Sequence, residues 1–410
     1  MPWYHGWNVL AAGLIFQGVS FGLGLYCFTF YVTPWATEFG VGRGDVMVVF
    51  LILQASMGLL APFAGRAMDR LPIRLLVCIG AVSLAAALLL AARATALWQL
   101  MLIYGTFMVG GTLLSGPLAA QTLTARWFNR RRGLAFGIST VGTSLGGFLL
   151  PPLVTGLQAA HGWRDANDLL ALLVVVAVLP LAMLSLRDRP AYGEDAVEAR
   201  LENSKDTPQH VAAQTAWTLK AIFAEPTFWL MVATFALFAM VNGALQQNLA
   251  PFGLDHGIDA RTTAWAVSVM AALMALWKVV VGALADRLDV RWLFLFSLAT
   301  LLGAMLWMAT HPSPWEFAVI CGLLGIAAAA HLPLLAAIIS RHFGTASFGM
   351  VMGLVGPFTT LSATGPWLAG ALRDAYGSYD LALLVFAVLL IPAAGCMLNL
   401  RLAPVTGSRA

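Results

Sequence analysis

Apolar runs alternate along this chain with short polar turns, and the lengths of the runs predict its elements. A helix needs about 20 mostly apolar residues to cross a hydrocarbon core. Twelve such runs occur, approximately at 8–33, 46–67, 75–92, 97–123, 134–158, 167–186, 227–250, 262–285, 292–310, 315–339, 347–371 and 380–400. Residues 75–92 carry no charge at all. One long polar stretch interrupts the series. From Asp188 to Lys220, 10 of 33 residues are charged, against 42 (23 basic and 19 acidic) in the whole chain. The pattern predicts a first six-helix bundle over 1–187, a solvated linker over 188–220 and a second six-helix bundle over 221–410.

Composition supports a membrane setting. The chain is 60% hydrophobic and 10% charged, with a mean hydropathy of +0.83, whereas a soluble domain carries about 25% charged residues. A chain this poor in charge cannot cover a water-facing surface. No basic patch tracks phosphates, which argues against a nucleic-acid partner. Cys27, Cys78, Cys321 and Cys396 lie in apolar runs without a C-x-x-C pair, so they read as core residues and no cofactor or metal is expected. No Lys or Arg precedes the first apolar run, so the first helix is expected to stay in the mature protein. With both termini cytoplasmic, 17 of the 23 Lys and Arg fall on the inner side and 5 on the outer, with Lys278 inside a helix. Positive charge gathers on the cytoplasmic side, so this orientation is expected. High Ala and Leu content points to a bacterial inner membrane.

The turns repeat. Between helices 2 and 3 the chain reads Gly65-Arg-Ala-Met-Asp69-Arg70-Leu-Pro-Ile-Arg74, and between helices 8 and 9 Gly282-Ala-Leu-Ala-Asp286-Arg287-Leu-Asp-Val-Arg291. Both are G-x-x-x-D-R-x-x-x-R, 217 positions apart. Arg126-Trp-Phe128 is echoed by Arg341-His-Phe343 at an offset of 215. One such loop could be a mere charged turn. Two in register point to duplicated halves, as in transporters built from parallel repeats. Asp69 and Asp286 can cap a helix start and pair with arginine, so Asp69, Arg70, Arg74, Asp286, Arg287, Arg291 and Arg126 are expected to gate the inward side.

These loops resemble the signature loop of the major facilitator superfamily. Three further stretches, Tyr4-His-Gly-Trp7, Glu38-Phe-Gly-Val-Gly-Arg43 and Ala125-Arg126-Trp-Phe128-Asn-Arg130-Arg131-Arg132-Gly, resemble the monocarboxylate-porter and oxalate:formate-antiporter branch, as does Gly365-Pro-Trp-Leu-Ala-Gly370 through Asp380. The resemblance implies an all-α membrane protein of twelve transmembrane helices in two pseudo-symmetric bundles, acting as a monomer and not as an enzyme. It implies alternating access and a small organic anion, with a proton, as the partners.

Transporters of this architecture bind solute near the midplane, and intramembrane ionisable residues are the default pointers. Lys278 is the one Lys or Arg well inside an apolar run. A buried ammonium needs an anion or deprotonation, although a lysine stem can also snorkel toward the headgroups. The resemblance implies a basic residue in helix 8 that holds the substrate carboxylate, more commonly arginine. It also implies an acid one turn earlier, where this chain has Met274. His331 is the other group that could carry a proton, or it is a structural histidine beside Pro333. Asn242 and Gln246 share one face of helix 7 at i and i+4, as ligands or as interhelical glue. Tyr31 and Tyr104 could donate to a carboxylate. Offset by 217, Lys278 would be Ala61, so the cation is not duplicated.

The expected function is secondary transport of a small monocarboxylate, by proton-coupled symport. The alternative keeps the fold and makes the chain an exchanger or exporter of another solute, a dicarboxylate or a lipophilic compound. No nucleotide-binding loop and no cluster of nucleophile, base or metal ligands appears.

Overall fold

The computed structural model describes residues 6–128, 132–186, 217–285, 287–344 and 347–400, and every regular element among them is helical. The predicted linker over 188–220 lies outside these residues except for its last four. So do Asp286, Arg130 and Arg131 and the side chain of Asp69.

The first crossing is α1 (Gly6–Phe21), which loosens into a π turn (Gly22–Tyr26) and a 3-10 turn (Phe28–Phe30) before α2 (Val32–Phe39). Then come α3 (Arg43–Arg70) and α4 (Ile73–Ala92). The fourth crossing is built from α5 (Leu97–Ile103), a π turn (Tyr104–Met108), α6 (Val109–Ser115) and α7 (Pro117–Trp127). The joint before α7 falls at Gly116, and proline follows at the first helical position, where its missing N–H is no loss. Next is α8 (Arg132–Leu173), 42 residues long. Gly162 interrupts it with φ 79° and ψ 166°, values that glycine tolerates. The single stretch thus carries both crossings predicted at 134–158 and 167–186. A π turn (Val174–Val178) and α9 (Leu179–Ser185) complete the sixth crossing.

The second series opens with a short helix the sequence pattern did not announce, α10 (Leu219–Ala224), capped by Thr218. It continues with α11 (Pro226–Asp255), α12 (Ala260–Ala285), α13 (Val290–Met308), α14 (Pro314–Ala329), α15 (His331–His342), α16 (Phe348–Thr360), α17 (Thr364–Tyr376) and α18 (Asp380–Leu398). Pro333 separates α14 from α15, because it has no N–H to give the Ala329 carbonyl. Among the described residues, 10 helical segments are long and apolar enough to cross a membrane. The segment Ile138–Ser185 holds two crossings, and α16 with α17 makes one more around a 3-10 turn (Leu361–Ala363), which brings the total to the predicted twelve.

Packing divides the chain into two compact units. Unit 1 comprises Met1–Gly40 with Ser56–Val211, and unit 2 comprises Val41–Ala55 with Ala212–Ala410. The start of α3 therefore packs with unit 2 and the rest of it with unit 1.

In lipid, helices gain little from burying apolar side chains against each other, so they associate through close backbone approach. Glycine permits it. At the α1–α8 crossing, a Cβ on Gly146 would stand 2.0 Å from the Gly18 carbonyl oxygen. Beside it the fully buried Gln17 donates from Nε2 to the Ser139 carbonyl at 2.6 Å. At the α12–α14 crossing, a Cβ on Gly325 would lie 2.2 Å from the Met270 carbonyl. Gly303 has open space around it. Gly146→Val is expected to lower unfolding free energy by about 1–3 kcal/mol or more through overpacking, while Gly303→Ala leaves it nearly unchanged. Thermal melting of the purified variants measures the difference, and equal melting temperatures would refute the crossing.

Candidate functional site

Each unit carries the same brace at one face. In unit 1, Arg126 at the end of α7 donates from Nη2 to the Met68 carbonyl at 2.5 Å, one residue before Asp69. In unit 2, Arg341 at the end of α15 donates to the Ala285 carbonyl, one residue before Asp286. The last carbonyls of a helix lack intrahelical partners, and a cation there also suits the helix dipole. A ring contact doubles each brace. Trp7 meets Phe128 edge-on at 5.0 Å and 63°. Trp217, just before α10, meets Phe343 at 5.2 Å and 69°. The repeat seen in the sequence is thus repeated in hydrogen bonding and in aromatic packing.

The other residues of the signature loops play varied parts. Asp289 caps α13 by accepting from the Arg291 N–H at 2.9 Å, the capping role anticipated for Asp286. Its carboxylate also pairs with the Arg291 guanidinium at 2.6 Å, and this hydrogen bond holds the Asp289 carboxyl below the usual range. Arg291 also reaches the Leu400 carbonyl at 3.4 Å. Arg70, Arg74 and Arg287 are exposed.

Lys278 lies in a seam of α12 made by Val267, Ala271, Met274, Lys278, Val281 and Ala285. The steps of four and three place these on one face. The other five are 6% exposed or less, and Lys278 is half-buried. The neighbouring Trp277 turns its ring to Phe296 of α13 at 6.1 Å. His331 sits at the start of α15, its ring 5.3 Å edge-on from Phe235 and 5.8 Å in a stack on Phe238, both on α11. This aromatic cradle holds the imidazole against α11.

The levels of these groups can be compared because Arg341 joins the end of α15 to the end of α12, and His342 meets Glu225, before α11, at 3.3 Å. At about 1.5 Å per residue, Lys278 stands about 10 Å from that common face, His331 about 16 Å and Asn242 about 24 Å. Lys278 and His331 therefore share a level to within about 6 Å. Asn242 and Gln246 lie deeper. Among the described residues, none donates a hydrogen bond to the buried Oδ1 of Asn242, in the middle of α11.

Tyr31 and Tyr104 lie inside unit 1. Each is at most 2% exposed. The Tyr31 hydroxyl donates to Asn167 Oδ1 at 2.6 Å, and its ring packs 5.1 Å from Trp35. Tyr104 packs on Trp35 and Phe28 at 5.5 and 5.9 Å. In this structure both tyrosines serve the aromatic core of unit 1.

A polar clamp that sequence reasoning missed stands in unit 2, far along α11 from the brace. Arg43, in the first turn of α3, forks onto Asp255 at 2.6 and 2.8 Å and donates to the Pro251 carbonyl at 3.2 Å. Arg373 of α17 donates to the same carboxylate at 3.1 Å. Tyr379 donates a hydrogen bond from its hydroxyl to Asn248 Oδ1 at 3.2 Å, and Asn248 donates to the Ala244 and Pro366 carbonyls. Asp374 accepts from the backbone N–H of Gly44 at 2.7 Å, capping α3 from another helix. The individual charges were visible in the sequence, but these residues lie up to 336 positions apart and no spacing announces their meeting. A double-mutant cycle with Arg43→Ala and Asp255→Ala is expected to give a coupling of about 1 kcal/mol or more in thermal unfolding. Additive single effects would show that the pair contributes nothing beyond its separate contacts.

The Major Facilitator Superfamily model matches residues 14–260 and 248–410. Monocarboxylate transporter 11 of Mus musculus is 28% identical over 395 residues, covering 93% of this chain and 84% of its own length. The uncharacterized MFS-type transporter YcxA of Bacillus subtilis is 24% identical over 343 residues, 80% of this chain and 78% of its own. The inward-facing, unoccupied crystal structure of a bacterial homolog of the human lysosomal transporter Spinster matches with a TM-score of 0.74 at 17% identity, covering 98% of this chain and all of that one. At that identity the likeness is one of fold.

Proposed function

Because this chain belongs to the major facilitator superfamily, we propose that it carries a small monocarboxylate across a bacterial inner membrane by alternating access, with both termini cytoplasmic. The observation that carries this reading is Lys278 in the buried seam of α12. An ammonium within an apolar helix is stabilised by a carboxylate brought to it. A single cation suits a monoanion, where a dianion would call for a second. Similarity to monocarboxylate transporter 11 over 93% of the chain supports the same class of solute.

Lysine offers a point charge on a flexible stem, without the flat fork that an arginine presents to both carboxylate oxygens. Selection among monocarboxylates then falls to the apolar and aromatic groups around the tail of the solute. The braces in each unit fix the ends of the helices that carry the signature loops. They are the parts assigned to gating, with Asp69, Arg70, Arg74, Asp286, Arg287 and Arg291.

Uptake of labelled small monocarboxylates into proteoliposomes tests the solute. Lys278→Ala is expected to lower uptake by about tenfold or more, equivalent to about 1.4 kcal/mol of lost anion binding, while Lys278→Arg keeps a measurable part. Unchanged uptake in Lys278→Ala would remove the lysine from the site.

Coupling is assigned to a proton that enters with the anion, carried by His331 or by Lys278. An inward proton gradient is then expected to accelerate uptake and a protonophore to abolish the acceleration. If His331→Ala keeps the acceleration, the histidine is not the carrier. A rate indifferent to the gradient in the unmodified protein would make the chain a uniporter or an exchanger.

A further inference from the structure

The end of α11 carries a pair of groups for which the proposed transport reaction has no use. His256 follows the last residue of α11, and His311 lies in the turn between α13 and α14. Their rings face each other, with His256 Nε2 2.9 Å from His311 Nδ1. His256 is held from the other side. Its Nδ1 lies 2.8 Å from the Phe252 carbonyl and its ring stacks on Phe252 at 4.1 Å. A carbonyl acceptor at Nδ1 fixes the proton there, which leaves the Nε2 lone pair pointing at His311. That is the arrangement by which proteins orient a metal-binding imidazole. His311 is presented by a backbone with φ 56°, the one non-glycine residue with positive φ among those described. His311 is exposed and His256 half-buried, so an ion from solution can reach both nitrogens.

We propose that His256 and His311 form a two-histidine site for a borderline divalent cation of the Zn²⁺, Ni²⁺ and Cu²⁺ class, completed by water. The geometry is close to what the ion requires. Two nitrogens bound tetrahedrally at about 2.0–2.1 Å from zinc stand about 3.3 Å apart, so the pair must open by about 0.4 Å. A small rotation of the exposed His311 ring supplies that movement. The neighbouring carboxylates are already engaged. Asp255 is held by Arg43 and Arg373, Asp259 accepts from Thr262 N and Oγ1 at 2.7 and 3.0 Å, and Glu316 accepts from the Ser313 N–H at 2.8 Å. An all-imidazole donor set selects against Mg²⁺ and Ca²⁺, which prefer oxygen. Both imidazoles must be neutral to bind, so acid competes with the metal. The bound ion would tie the end of α11, where Asp255 anchors the polar clamp, to the α13–α14 turn.

The test uses the full chain in detergent, with any histidine tag removed, and follows its melting temperature and Zn²⁺ titration by calorimetry. Zn²⁺ and Ni²⁺ are expected to raise the melting temperature reversibly, with EDTA restoring it and Mg²⁺ without effect. His311→Ala and His256→Ala should each weaken Zn²⁺ binding by about tenfold or more, whereas His161→Ala, at another exposed histidine, should not. His311→Asn keeps the polar exposed turn and serves if His256→Ala fails to fold. Equal Zn²⁺ stabilisation in His311→Ala, His311→Asn and the unmodified chain would overturn the site, as would no stabilisation by Zn²⁺ up to millimolar concentration. These readouts need no transport activity, so they stand or fall apart from the carboxylate reading.

Discussion

Hydrocarbon offers no hydrogen bonds, and every backbone N–H and C=O inside it must find a partner within the protein. That constraint makes the described elements helical, and it also sends the difficulty to the helix ends. There the last carbonyls and first N–H groups are open, and the chain must supply side chains to meet them. Arg126 and Arg341 close the ends of α3 and α12. Asp374 closes the start of α3, Asp289 the start of α13, and Ser313 with Glu316 forms a capping box on α14. The charges of this poorly charged protein are therefore concentrated at helix ends. Lys278, inside α12, departs from that rule, and it is where solute chemistry is sought.

The same constraint explains what could be read from the sequence. Spans of about 20 apolar residues are long and unmistakable, so all twelve crossings were legible. Their boundaries were less so, because irregular turns within the membrane leave little trace in hydropathy. The π turns at Gly22–Tyr26 and Tyr104–Met108 fall within unbroken apolar runs. The repeat was legible because it lies in the turns, where polar residues stand out against an apolar background. Its physical content was not. The sequence paired Arg126 with Arg341, but only the fold shows each arginine bonded to the carbonyl just before the signature aspartate.

The polar clamp illustrates the limit more sharply. In the sequence Arg43, Asp255 and Arg373 are single charges beside apolar runs, and each could equally be a solvated terminus. Their joining depends on how α3, α11 and α17 pack, which no local spacing records. Residues 41–55 pack within unit 2. The tyrosines show a related ambiguity. A phenol in a transmembrane helix has two uses, as a ligand or as a core side chain with a satisfied hydroxyl. Sequence cannot separate them, whereas Asn167 at 2.6 Å from Tyr31 and the rings around Tyr104 give the second use a concrete form.

Duplication and asymmetry follow from different requirements. A helix end poses the same problem in each unit, and the same solution, an arginine on a carbonyl beside a tryptophan on a phenylalanine, serves both. The proposed monoanion would pose its problem once. It requires one positive charge, and a second buried ammonium without an anion would only add the cost of desolvation. Ala61 in place of a second lysine is thus what a carrier of monoanions requires, whereas a carrier of dianions would profit from charge at both positions. Val267, Ala271, Met274, Val281 and Ala285 are all apolar, so a carboxylate held at that face of α12 would meet one ammonium set among apolar side chains.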